Sequence, residues 1–165
     1  ALSTTVKRSL IRVEADELTY PLHVVLRYEI EKMLFSGEIN ISDLPEVWNE
    51  KMQTYFGLST TGNDKDGVMQ DVHWPSGAFG YFPAYTVGRL MASQFYSAAS
   101  ESSPGMLKDF ERGDFSSLKR WLNSHVHSQG SFLDSMTLLT KATGEPLSSR
   151  YFIDSIKKRY QISGV

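Results

Sequence analysis

Arg12 stands in IRVEADELTY with Glu14, Asp16 and Glu17, a guanidinium set among carboxylates around Val13 and Ala15. If this stretch is helical, Arg12 and Asp16 are i and i+4 and share a face. Such a pair at a solvated surface contributes well under about 1 kcal/mol. An arginine fixed by a carboxylate can instead present its fork to an anionic ligand in two parallel hydrogen bonds. The residues alone leave both readings open.

A second stretch, GVMQDVHWPSGAFGYFPAY (Gly67 to Tyr85), gathers Gln70, Asp71, His73, Trp74, Tyr81 and Tyr85 among glycines and prolines. Glycine there points to close backbone approach or unusual dihedrals rather than plain helix. Asp71 lies near enough in sequence to His73 for a carboxylate to fix an imidazole tautomer, as acid–base sites and outer metal shells require. An aromatic packing loop around a satisfied core histidine explains the same composition. Of the other histidines, His23 sits beside the apolar stripe of a helix and reads as structural. His125 and His127 read as a pair at a helix end. No H-E-x-x-H, G-x-S-x-G, phosphate loop or Rossmann glycine pattern occurs.

The 165 residues predict a single helical unit, long enough to bury an ordinary core without staples. Hydrophobic residues make up 41% and aromatics 12%, which excludes a disordered chain. The formal charge of −2 gives no basic excess, so nucleic acid is not an expected partner. The absence of cysteine excludes disulfides, thiol catalysis and Cys-based metal sites. No apolar run approaches the roughly 20 residues of a membrane span, and the start lacks a signal-peptide core, which points to a cytoplasmic protein.

Helical periodicity must position these residues. Leu18, Leu22, Val25, Leu26, Ile30, Met33 and Leu34 fall three or four apart, with Gly37 as the stop. In SDLPEVWNEKMQTYFG, Asp43 is the expected cap with Glu46 completing a box, and Leu44, Trp48, Met52, Tyr55 and Phe56 form the stripe. Residues 58–66 read as a surface loop. A helix follows from about Tyr85 to Ser100, where Gly88 and Ala92 would let another helix approach closely. Three more helices fit after Asp114, over about Ser131–Ala142, and after Ser148 or Ser149. The fold class is all-α.

IRVEAD (Ile11–Asp16) matches an I-R-x-x-A-D motif, and GVMQDVHW (Gly67–Trp74) matches G-x-x-Q-D-x-H-W. With TYPLHVVLRYEIEK, DLPEVWNEKM, FGYFPAYTVGRLMASQ and the TGEPL tail, the chain resembles the C-terminal portion of thermostable carboxypeptidases of the carboxypeptidase Taq type. The resemblance implies a metallocarboxypeptidase that releases C-terminal amino acids from peptides, with zinc or another divalent metal in the full-length enzyme. That metal is held by H-E-x-x-H and a downstream glutamate, all absent here, so no metal ligand and no activity are expected of this chain alone. The implied partners are a peptide with a free C-terminus, the missing N-terminal portion and a second copy in a homodimer.

On that resemblance Arg12 binds the substrate carboxylate, and His73 donates to its carbonyl or developing oxyanion as the catalytic residue. Gln70 and Asp71 orient the His73 region, Asp16 steadies Arg12 or a metal ligand, and Tyr81 and Tyr85 close the pocket. Two competing readings accompany it: a non-enzymatic helical interaction module, and a separate metal site built from His73, Asp71 and glutamates.

Overall fold

A computed structural model describes residues 4–162, and among them every regular element is helical. The chain divides into two compact units, Ala1–Thr86 and Val87–Val165.

The first unit is built on helices α1 (Tyr20–Ser36) and α2 (Leu44–Phe56). Pro21 takes the first turn of α1, where its missing N–H costs nothing. Gly37 and Gly57 end the two helices in left-handed conformations, φ 75° and 64°, which a side chain would disfavour. Leu26 and Ile30 of α1 pack on Trp48, Met52 and Phe56 of α2, all essentially fully buried. Leu44 and Tyr55 lie partly buried against that cluster, so the stripe read from the sequence is the packed one.

Asp43 departs from its expected part. It precedes α2 without a side-chain cap bond, and its carboxylate accepts from the Asn40 backbone N–H at 2.8 Å instead. The reason is a 3-10 turn, Ile41–Asp43, which takes the box for itself.

Helix α3 (Pro83–Ser102) starts earlier than its periodicity suggested. Gly88 is exposed, and a Cβ there would meet nothing within 4 Å, so the close helix approach expected at Gly88 is not made within the described residues.

The second unit continues with α4 (Met106–Glu111), α5 (Ser116–His125), α6 (Ser135–Thr143) and α7 (Arg150–Tyr160). Ala99, Met106 and Trp121 form its buried centre, with Phe95, Phe110 and Leu122 against them. Buried Gln94 is fully engaged, donating to Thr143, Glu145 and Pro146 and accepting from the Ser148 N–H. Asp134 caps α6 through the Met136 and Thr137 N–H groups, so that helix begins later than expected. His125, the last residue of α5, stacks on Trp121 at 4.6 Å and contacts its carbonyl, while His127 opens the 3-10 turn that follows, His127–Gln129, and contacts Asn123.

Candidate functional site

The two motif stretches meet in the first unit. Arg12 opens a short 3-10 turn, Arg12–Glu14, and its backbone N–H donates to the Gln70 side-chain oxygen at 2.9 Å. The Gln70 amide nitrogen donates back to the Leu10 carbonyl at 3.0 Å and to Asp66 and Gly67 carbonyls of its own turn. One carboxamide thus fastens both segments. Gly67 is required by space: a Cβ there would lie 2.9 Å from the Asn63 carbonyl oxygen.

Arg12 is held by Asp71 and Tyr20. Its Nε and Nη2 donate to Asp71 Oδ1 at 3.0 and 2.8 Å, and its Nη1 donates to the Tyr20 hydroxyl at 2.7 Å. The rings of Tyr85, Phe82 and Tyr20 surround its Cζ at 5.1, 5.6 and 5.7 Å. Sequence reading did not find the next member, Arg27 of α1. Fully buried, it donates from Nε to Asp71 Oδ2 at 2.6 Å and from Nη1 to the His23 carbonyl at 2.8 Å, with Cζ 4.7 Å from the Trp48 ring.

Two guanidiniums share one carboxylate, so this triad carries a net positive charge. Burial would raise the Asp71 carboxyl, but the Arg27 charge and the Arg12 and Arg27 hydrogen bonds hold it below the ordinary carboxylate range. Burial pushes Arg27 down to about 10 despite Asp71. For Arg12 burial also works downward, yet the Asp71 hydrogen bond and charge leave it raised.

His73 packs on two of the same rings, Phe82 and Tyr85. Its Nε2 lies 3.0 Å from the Tyr85 hydroxyl, and its ring packs on Phe82 at 4.3 Å and Tyr81 at 5.7 Å. Its Nδ1 is buried with no hydrogen-bond partner among the described residues. Asp71 is therefore bonded to the two arginines rather than to His73, and Tyr85 is what touches the imidazole. Gln70 likewise fastens Arg12 rather than His73.

Asp16 does not pair with Arg12. Its carboxylate accepts from the backbone N–H groups of Lys7, Leu18 and Thr19 and so shapes the entry to α1. The backbone leaves the helical track after Glu14, so the i, i+4 geometry never forms. His23, read as structural, is buried against Phe56 at 4.2 Å between ring centroids. Among the described residues, no three His, Cys, Asp or Glu side chains gather as a metal ligand set.

These contacts occur in a chain with extensive relatives. Carboxypeptidase 1 of Bacillus subtilis is 47% identical over 93% of this chain, and thermostable carboxypeptidase 1 of Thermus thermophilus is 45% identical over 94%. The chain spans 30% of the length of each. Among solved structures, metallocarboxypeptidase 1 of Trypanosoma cruzi superposes with a TM-score of 0.93 at 43% identity, covering 97% of this chain and 34% of that one. The M32 carboxypeptidase of Deinococcus radiodurans gives 0.90 at 39% identity, with 96% and 32% covered. Both motif stretches lie within residues 2–160, the region that matches the carboxypeptidase Taq (M32) metallopeptidases, and the chain belongs to that family.

Proposed function

We infer that this chain is the C-terminal, substrate-recognising part of a metal-dependent carboxypeptidase, with Arg12 binding the C-terminal carboxylate and Tyr85, held by His73, binding the carbonyl of the last peptide bond. One observation supports this above the rest: Arg12 and His73, distant in sequence, both pack on Phe82 and Tyr85.

An exopeptidase must recognise the free carboxylate to cut only there. Arg12 commits three N–H groups to Asp71 and Tyr20, and its Nη1 and Nη2 each carry one more. A substrate carboxylate accepting from those two would take the side-by-side geometry that guanidinium favours. The excess positive charge of the triad favours an anion in the same place, strongly so where water is scarce. Asp71 and Arg27 keep the fork from rotating, and a fixed donor is what orientation requires.

The His73–Tyr85 pair supplies the second contact. Nε2–H donation to the Tyr85 oxygen leaves a buried Nδ1 lone pair rather than a buried orphan N–H, the less costly arrangement. The Tyr85 hydroxyl proton then points away from His73 to a carbonyl oxygen or the oxyanion that grows on it. Exposed Tyr81, 5.4 Å from the Tyr85 ring, flanks that position.

The family's name implies a divalent metal, but a catalytic zinc takes about three protein ligands with one open position, and the described residues do not fit that need. The chain's part is binding and orientation, and on its own it is inactive. Zinc as the metal, a homodimeric state and a cytoplasmic location belong to this reading through the family resemblance and the cysteine-free composition.

A second reading takes the triad as a purely structural clamp in an interaction module. The near-complete burial of Arg12, 7% exposed at its side chain, favours it. The full-length enzyme separates the two. Arg12→Ala should lower hydrolysis of free peptides at least a hundredfold, mostly through KM, and leave C-terminally amidated peptides uncut. Equal cutting of amidated and free peptides by the parent enzyme would refute the role of Arg12.

A further inference from the structure

Helix α1 buries one side in the core and carries a second, exposed row of apolar side chains. At about 3.6 residues per turn, His23, Leu26, Arg27, Ile30 and Glu31 share the side turned to the core, and all are buried. Leu22, Val25, Tyr28 and Phe35 share the other side, in steps of three, three and seven. They are exposed, Phe35 by 73% and Tyr28 by 46%. Phe79 extends this second stripe, 46% exposed, with its ring edge-on to Phe35 at 5.4 Å. Lys32 stands over the Tyr28 ring at 5.6 Å. An open cleft of about 360 Å3 runs between these side chains and Pro83. Glu31 at its wall is already engaged, accepting from the Trp74 indole N–H and the Gly80 N–H.

Contiguous exposed aromatics mark an interaction surface. The occupant follows from two observations. This chain keeps its fold within solved chains about three times as long, being only 32–34% of them. The outer stripe also sits on the same helix as Arg27, with Tyr28 next to it in sequence. Whatever seats at Tyr28 lies beside Arg27, its neighbour in sequence. We propose that the outer stripe of α1, with Phe79, is the docking surface for the metal-holding remainder of the carboxypeptidase. The proposal rests on the functional reading above, which puts the metal ligands outside these residues. A second copy of this chain would bring no such ligands to the triad.

The test compares the chain alone with a chimera in which it replaces the matched third of the Bacillus subtilis relative. Hydroxyl-radical footprinting reads oxidation of Tyr28, Phe35 and Phe79 in each. The expected result is ready oxidation in the chain alone and several-fold protection in the chimera. Phe35→Glu should leave the melting temperature of the chain within a few degrees and lower that of the chimera clearly more. Equal oxidation in both proteins overturns the proposal. So does protection in the chain alone that grows with its concentration, which would identify a second copy as the occupant. A chimera without a cooperative melt also counts against it. A protected stripe in a chimera that cuts no peptide leaves the surface standing and refutes the functional reading. An active chimera with an unprotected stripe does the reverse.

Discussion

Arg12 and Asp71 are joined by two hydrogen bonds to a single oxygen, Nε and Nη2 to Oδ1, which leaves Oδ2 for Arg27. The carboxylate is thereby the hinge of the site: it neutralises one guanidinium and orients two. Such a pair contributes little net stability when intact, because both charges leave water, but breaking it strands a buried charge.

Asp71→Asn is therefore expected to destabilise the chain by about 3–5 kcal/mol, since Arg12 and Arg27 would face each other unneutralised. Urea unfolding at pH 7 measures it. The Asp71 carboxyl sits below its ordinary value, so its stabilisation is full above about pH 4 and is lost as pH falls through the folded-state value. A loss under 1 kcal/mol for Asp71→Asn would mean the triad is not the clamp described.

His23 predicts a second acid sensitivity with a different window. Burial, with Arg27 nearby, lowers its pKa from 6.5 to about 4. The unfolded chain takes up a proton near pH 6.5 while the folded chain stays neutral, so stability falls as pH drops from about 6.5 to 4. The loss is about 3 kcal/mol at about 1.4 kcal/mol per pH unit. In His23→Gln the slope of unfolding free energy across that window should flatten; an unchanged slope would assign it elsewhere.

Gly67→Ala tests how tightly the second motif is folded. The new methyl would sit 2.9 Å from the Asn63 carbonyl oxygen and 3.3 Å from Thr60 Cβ. Overpacking of this kind costs about 1–3 kcal/mol. Because Gln70 bonds to the Gly67 carbonyl and to Leu10, the shift should also reach the Arg12 N–H. Thermal melting gives the first effect, and amide exchange at Arg12 the second. A melt and exchange rate identical to the parent would contradict the packing.

Much of this was legible in the residues. The period of apolar positions and the glycine stops place α1 and α2 nearly to their ends: Leu26 and Ile30 of the first stripe and all of the second pack in the core, whereas Leu22 and Val25 of the first are exposed. Helix α4 was not legible: in six residues only Met106 is buried, too short a pattern to show a period. Arg27 escaped for a different reason. A guanidinium is expected at the surface, yet Arg27 and Glu31 are in phase with Leu26 and Ile30, and that phase was the available signal. Nearness in sequence points Asp71 at His73. The turn after Gly67 sends neighbouring side chains to different partners, which spacing alone does not reveal.

The central claim, that Arg12 receives a carboxylate, is tested most directly on the chain itself. Side-chain NMR of Arg12 Nε–H and of the His73 ring would be followed during titration with N-acetyl-phenylalanine and with its C-terminal amide. The account predicts saturable shifts at both residues with the free acid, weak millimolar binding that Arg12→Ala abolishes, and no shift with the amide. Equal shifts with acid and amide, or acid binding that survives Arg12→Ala, would contradict it.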